Sequence, residues 1–276
     1  MAAGDSRCSE LQEFAEGIAE EAGKNSLRYF GAGGLDPSVE TKSDDSPVTE
    51  ADRTSELLMR SRIHERFPDH GIIGEEFPPV DPTPGHPTWV LDPIDGTRAF
   101  VAGVPLYTVL VAVVEDNTPR IGVIHNPATK ETVSATLGEG CYFNANRLRA
   151  HNGSSPTAAP ADSPGPRMSA GAPTVCCTDY GELSRRYPQL LAHIAEAGYT
   201  ARTWADAYGY LLLVTGRIQA MIDPIMNSWD IAPLYPIVEE AGGIISSLRG
   251  DREPLGESAL AAVPGLHATL LQSALS

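Results

Sequence analysis

Five apolar, β-prone runs crowd into residues 88–92, 105–115, 120–125, 131–136 and 140–143. The last four are separated only by turn-forming segments, EDNTP, HNPATK and LGEG. Connections that short cannot hold the crossover a parallel pair requires, so these runs are expected to pair as an antiparallel meander. A sheet of this kind must be covered. Leu11, Phe14, Ala15, Ile18 and Ala22 recur at helical spacing, predicting an amphipathic helix over about residues 9–30, and a second over about 50–66 carries Leu57, Leu58 and Ile63. The second half alternates, with strands near 174–178, 218–222, 243–248 and 258–263. Helices are expected near 182–197, 204–216 and 230–241, the last kinked by Pro236 or delayed by it in its regular part, before a closing helix. Between the halves, HNGSSPTAAPADSPGPRMSAGAP (151–173) is poor in large apolar residues and reads as a flexible connection. The expected division is 1–150, 151–173 and 174–276, in a chain of α/β class.

Charge narrows the partners. The 276 residues carry a formal net charge of −16, which argues against a nucleic-acid backbone or an anionic membrane surface. An anionic substrate would then need local cations, and bound metal ions are the obvious supply. Cys8, Cys141, Cys176 and Cys177 follow neither metal-finger nor Cys-x-x-Cys spacing and read as reduced thiols. The acidic N-terminus has no long apolar run, and VPLYTVLVAVV (104–114) is too short to span a bilayer. A cytoplasmic protein is expected.

The stretch WVLDPIDGTRAF (89–100) places Asp92 and Asp95 where a strand gives way to a helix. Pro93 has no N–H and a fixed φ, so the strand is expected to end there. Such a junction is where layered α/β proteins bind ligands, although aspartates in a turn can also do no more than cap a helix. Two further clusters bear on the choice. GIIGEEF (71–77) is an apolar run ending in Glu75 and Glu76, and NSWDIAPLYPIVEEAGG (227–243) puts Asp230 at a helix entrance. Each has a plain structural alternative, as a solvated strand end or an N-cap. Together, with no His or Cys nearby, they offer oxygen-only ligands, which suit Mg²⁺ or Mn²⁺ rather than zinc.

In this order and at these separations, GEE, DPIDGT and WD…EEAGG resemble the inositol monophosphatase family of Mg²⁺-dependent phosphomonoesterases, over nearly the whole chain. The resemblance implies an α+β layered sandwich, αβαβα, with mixed, largely antiparallel sheets, and a homodimer. It implies two or three Mg²⁺ ions, with Mn²⁺ as an alternative, held by Glu75, Asp92, Asp95, Asp230, the Ile94 carbonyl and Asp52. Glu76 would support that set. Asp52, Thr97 and Glu75 form the implied catalytic group, Thr97 with Asp52 orienting the attacking water, while Gly96 and Thr97 receive the phosphate. Metal ions suit this reaction because phosphoryl transfer spreads charge over oxygens that cations can stabilise.

The resemblance also implies a small phosphate ester as substrate. The family often reads DGTxNF where this chain has DGTRAF, and TWADAYGYLLLVTGRIQAMIDPIMNSWD resembles the histidinol-phosphatase branch. Asp206 and Asp223 would then contact the organic part of the substrate, and two carboxylates suit a cationic alcohol better than a neutral polyol. Histidinol phosphate is the expected substrate and inositol monophosphate the alternative. A catalytically silent metal-binding scaffold is the alternative of another class, but a silent relative would normally lack one of Asp52, Glu75, Asp92, Asp95, Thr97 or Asp230, and all are present.

Overall fold

Two sheets, one of seven strands and one of five, form the β layers of the molecule. The computed structural model describes residues 2–31, 34, 38, 40–41, 47–148, 171–204 and 206–276. The expected connection at 151–173 therefore lies outside the described residues except for 171–173, and so do residues 42–46 of TKSDDSPVTEAD. The first half runs α1 (Ala2–Ser26), β1 (Glu40–Thr41), β2 (Pro47–Val48), α2 (Glu50–Arg66), β3 (Gly71–Gly74), β4 (Thr88–Asp95) and α3 (Thr97–Val101). Then come β5 (Thr108–Glu115), β6 (Thr118–Asn126), β7 (Glu131–Thr136), β8 (Gly140–Phe143) and β9 (Asn146–Arg147). From β4 to β9 each strand pairs antiparallel with the next, from β5 onward as the short turns require, and β3 adds to the β4 edge in parallel.

The second half runs β10 (Thr174–Cys177), α4 (Tyr180–Arg186), α5 (Pro188–Glu196), β11 (Thr200–Arg202), α6 (Asp206–Val214) and β12 (Ala220–Asp223). It ends with α7 (Ser228–Ile231), α8 (Leu234–Glu240), β13 (Ile244–Ser246), β14 (Ala259–Ala262) and α9 (Pro264–Ala274). Its sheet has the order β11-β10-β12-β14-β13, parallel around β10 and antiparallel around β14. Two expected helices are each split in two. The 182–197 helix breaks at Tyr187, because the ring of Pro188 disfavours helical backbone in the residue before it. The 230–241 helix is not kinked at Pro236; it breaks at Ala232–Pro233, so its longer regular part is delayed to Leu234. Pro236 lies in the first turn of α8, where a missing N–H costs no intrahelical bond.

The layers stack as helix, sheet, helix, sheet, helix. Leu11, Ala15, Ile18 and Ala22 of α1 join Met59 and Ile63 of α2 against Trp89, Leu91, Val109, Val111 and Val113. Leu57, expected on this face, is instead 51% exposed, and Met59 takes the inward position. On the other face of the same sheet, Leu110 and Ile124 share one core with α6, α8 and the second sheet. Covered on both faces, β5 is buried from Thr108 to Val114 with no polar alternation. The α7–α8 break rests directly on β6: a Cβ on Gly122 would lie 2.1 Å from the Pro233 carbonyl oxygen, so only glycine fits there. The outer layer is α4, α5 and α9, and no described helix is long and apolar enough to cross a membrane.

Candidate active site

Contrary to expectation, β4 does not stop at Pro93. It continues to Asp95, with Asp92 opposite Leu110 and Asp95 opposite Thr108, so one extra residue is accommodated on β4. Pro93 falls in this bulge, where its missing N–H leaves no ladder bond unmade. Irregular backbone here re-aims the carboxylates. The Ile94 N–H donates to Asp92 Oδ1 at 2.9 Å, and Asp95 Oδ2 accepts from Thr108 Oγ1 at 2.9 Å and from the Ala207 N–H at 2.7 Å. The chain then turns through Gly96, with φ 80°, into α3, and the Thr97 hydroxyl donates to the Ile94 carbonyl at 3.1 Å.

Asp230 arrives from the other half of the chain. It lies in the first turn of α7, in a reciprocal cap with Asn227, whose N–H donates to Asp230 Oδ2 at 2.7 Å. Oxygens of Asp92, Asp95 and Asp230 lie within 4.8 Å of one another. Asp52 occupies the first turn of α2, where Oδ2 accepts from the Thr49 N–H at 2.8 Å and the Thr49 hydroxyl at 2.5 Å. Its Oδ1 is buried without a hydrogen-bond partner. Asp52 and Thr97 are thus hydrogen-bonded to Thr49 and to Ile94, not to each other. Glu75 follows β3, and its charge bears on Asp92, Asp52 and Asp230 alike.

The electrostatics of this group are one-sided. Burial pushes the Asp92 carboxyl well above its ordinary range, and the charged neighbours Glu75, Asp95, Asp230 and Asp52 push the same way. Burial likewise raises Asp95, with Asp206 and Asp230 adding to it against the bonds from Ala207 and Thr108. Burial lifts Asp52 and Asp230 to about 7. Converging carboxylates of this kind, one with an unpartnered buried oxygen, fit a hard divalent cation bound through oxygen.

A cleft beside the cluster is lined by Asp95, Thr178, Asp206, Asp223, Met226 and Asp230. Asp206 and Asp223, separated by 17 positions, therefore share one cleft with two of the clustered acids. The Tyr210 hydroxyl donates to Asp223 Oδ2 at 2.7 Å. Burial raises Asp223 to about 7 against hydrogen bonds from Thr178 and Tyr210. Asp206 is also raised, by burial first, with exposed Arg98 pulling it down. Gly96 lies under Asp206, whose Oδ2 is 2.7 Å from where a Cβ would sit. Sequence reasoning assigned no task to Thr178, Thr108 or Tyr210. Tyr210 is fully buried, and the one clue to its task was its position four residues after Asp206 on the same helix.

The sequence model of the inositol monophosphatase family matches residues 7–276. A protein of Chlorobaculum parvum named histidinol-phosphatase is 40% identical over 236 residues, covering 84% of each chain. One of Mycobacterium tuberculosis with the same name is 32% identical over 254 residues, covering 92% of this chain and 94% of that one. Among solved structures, the extragenic suppressor protein suhB of Bartonella henselae superposes with a TM-score of 0.83 at 21% identity, over 96% of this chain and 98% of that one, a likeness of fold. Proteins of this family are metal-dependent phosphatases of small phosphate esters, and the three clustered aspartates are placed as such a metal would need. The chain belongs to the inositol monophosphatase family and is a phosphoric monoester hydrolase.

Proposed function

We propose that the enzyme hydrolyses histidinol phosphate with the help of two or three Mg²⁺ ions. The observation that carries the substrate is the acidity of the cleft, where Asp206 and Asp223 stand beside Asp95 and Asp230. A leaving alcohol bearing an ammonium and an imidazole gains charge-assisted hydrogen bonds there that a neutral polyol does not. The naming of two similar proteins as histidinol-phosphatases supports the same reading.

In this proposal Glu75, Asp92, Asp95, Asp230 and the Ile94 carbonyl hold the metal, with Asp52 adding its unpartnered oxygen and Glu76 supporting the loop. When bound, Mg²⁺ supplies positive charge to the phosphoryl oxygens and acidifies a water. The chain's own residues do the rest. Asp52 Oδ1 and the Thr97 hydroxyl orient the attacking water. The backbone at Gly96 and Thr97 approaches the phosphate, with no Cβ at Gly96 to intervene. Asp223, held by Tyr210 and Thr178, and Asp206 at the start of α6 receive the cationic end of the alcohol. Residues 1–150 and 174–276 act as two halves closing on the site, in a cytoplasmic homodimer. Burial of the free thiols Cys141, Cys176 and Cys177 accords with a reducing compartment.

The test is an assay of metal-stripped enzyme, with and without added Mg²⁺, against histidinol phosphate, myo-inositol monophosphate and glycerol phosphate. The expected result is Mg²⁺-dependent release of phosphate, with the highest kcat/KM for histidinol phosphate. Preference for the inositol ester would overturn the substrate. Metal-independent turnover would overturn the metal mechanism, and no turnover on any ester would favour the silent scaffold.

A further inference from the structure

Helix α2 carries more of the site than Asp52. Glu56 and Arg60 follow Asp52 at intervals of four, so all three lie along one face of the helix. Glu56 is fully buried, yet neither motif nor spacing assigned it a task. Its Oε2 accepts from the Glu76 N–H at 2.7 Å, and its Oε1 accepts from Arg60 Nε at 2.7 Å. Arg60 then donates to the Phe77 carbonyl at 2.9 Å and to the Pro78 carbonyl at 3.0 Å. The end of β3 presses on the same carboxylate: a Cβ on Gly74 would lie 2.2 Å from Glu56 Oε1. Three successive residues after Glu75 are thus hydrogen-bonded by this pair, and the one before it packs against Glu56.

We propose that Glu56, tied to Arg60, is a positioning residue that sets the Glu75 loop at a fixed distance from Asp52 before any cation arrives. The inference rests on the metal-holding role given above to Glu75 and Asp52. One helix face thereby registers two otherwise independent parts of the site, an acid on its own first turn and an acid on a loop. A carboxylate is required at position 56 because it must accept from a backbone N–H and a guanidinium together. Glutamine brings one acceptor oxygen and a donor that faces Arg60 or Glu76.

The test is Mn²⁺ binding to metal-free protein, followed by calorimetry, alongside activity against Mg²⁺ concentration. Glu56→Gln is expected to weaken Mn²⁺ binding by about 10–100-fold, the usual effect of losing a group that orients a metal ligand. The Mg²⁺ needed for half-maximal rate should rise in parallel, while kcat at saturating Mg²⁺ falls much less. Arg60→Lys, which keeps a cation but loses the grip on the Phe77 and Pro78 carbonyls, should show a smaller shift in the same direction. It carries the test if Glu56→Gln does not fold. Glu131→Gln, a change at a partly buried acid remote from this loop, should lower thermal stability and leave Mn²⁺ affinity unchanged. Wild-type affinity in folded Glu56→Gln, or in Arg60→Lys where that variant carries the test, overturns the inference and leaves the proposed function standing. Failure of the wild type to bind Mn²⁺ overturns both.

Discussion

Glu131 and Asp92 are both largely buried acids, and the chain treats them in opposite ways. Glu131 lies where β7 meets the second half and receives the Tyr208 hydroxyl at 2.8 Å, the Thr129 hydroxyl at 2.8 Å and an Arg217 guanidinium N–H at 2.6 Å. Burial pushes its carboxyl up, but those hydrogen bonds more than reverse the push and leave it below the ordinary value. Asp92 receives one backbone N–H, from Ile94, and its charged neighbours are other acids. A buried acid given a cation within the chain is part of the scaffold. One surrounded by acids is stable as an anion only with a cation from outside.

The largest effect should come from removing the charge on the side that lacks a partner. Asp92→Asn is expected to abolish phosphate release and Mn²⁺ binding while raising the melting temperature of the metal-free protein. Asparagine keeps an acceptor for the Ile94 N–H and relieves the repulsion. A metal-free variant less stable than wild type would break the comparison.

Next in size is the substrate end of the same acidic group. Asp206→Asn should lower kcat/KM for histidinol phosphate by about 10–150-fold, the equivalent of one charge-assisted hydrogen bond, and hardly change glycerol phosphate hydrolysis. Equal losses on both esters would make Asp206 a structural acid like Glu131.

On the paired side, Glu131→Gln should cost about 1–3 kcal/mol of stability at neutral pH, read by denaturant titration. Because the folded-state pKa of Glu131 is depressed, that contribution is present above the ordinary carboxylate range and is lost as pH falls through the folded value. A deficit in the variant that persists undiminished at acid pH would show the pair to be worth nothing as an ion pair.

The smallest effect is a pH trend. Asp230 stands at about 7 in the metal-free fold, against an ordinary 3.8. A raised acid favours the folded state at low pH, and that contribution is lost as pH rises through about 7. Wild type should therefore lose melting temperature relative to metal-free Asp230→Asn between pH 5 and 8, and saturating Mg²⁺ should remove the wild-type decline. Parallel curves for the two metal-free proteins would dissolve the contrast with Glu131.

What the sequence disclosed follows the range of the forces involved. The β4–β8 meander was legible because turn chemistry and apolar runs are local, and Asp230 at a helix start was legible for the same reason. The meeting of Asp206 with Asp223 in one cleft was implied by the resemblance to the histidinol-phosphatase branch, because no local signal links positions 17 residues apart. Pro93 misled because a proline ends a regular strand but not one that bulges around it. Glu56 was silent because a buried acid on a helix looks like any surface glutamate until the loop it holds, 20 residues away, is in place. The splitting at Ala232–Pro233 was partly legible, since Pro233 and Pro236 remove two N–H donors there, but its seat on β6 was not.

That seat on Gly122 has a consequence for assembly. Asp92 and Asp95 are delivered by the first sheet, and Asp230 by a helix whose following break rests the Pro233 carbonyl on bare β6 backbone. No fragment of the chain holds the three acids together, so high cation affinity should be the last property to emerge during refolding. A divalent ion bound by all three acids would act as a latch, tying the part of the chain that carries Asp92 and Asp95 to the part that carries Asp230.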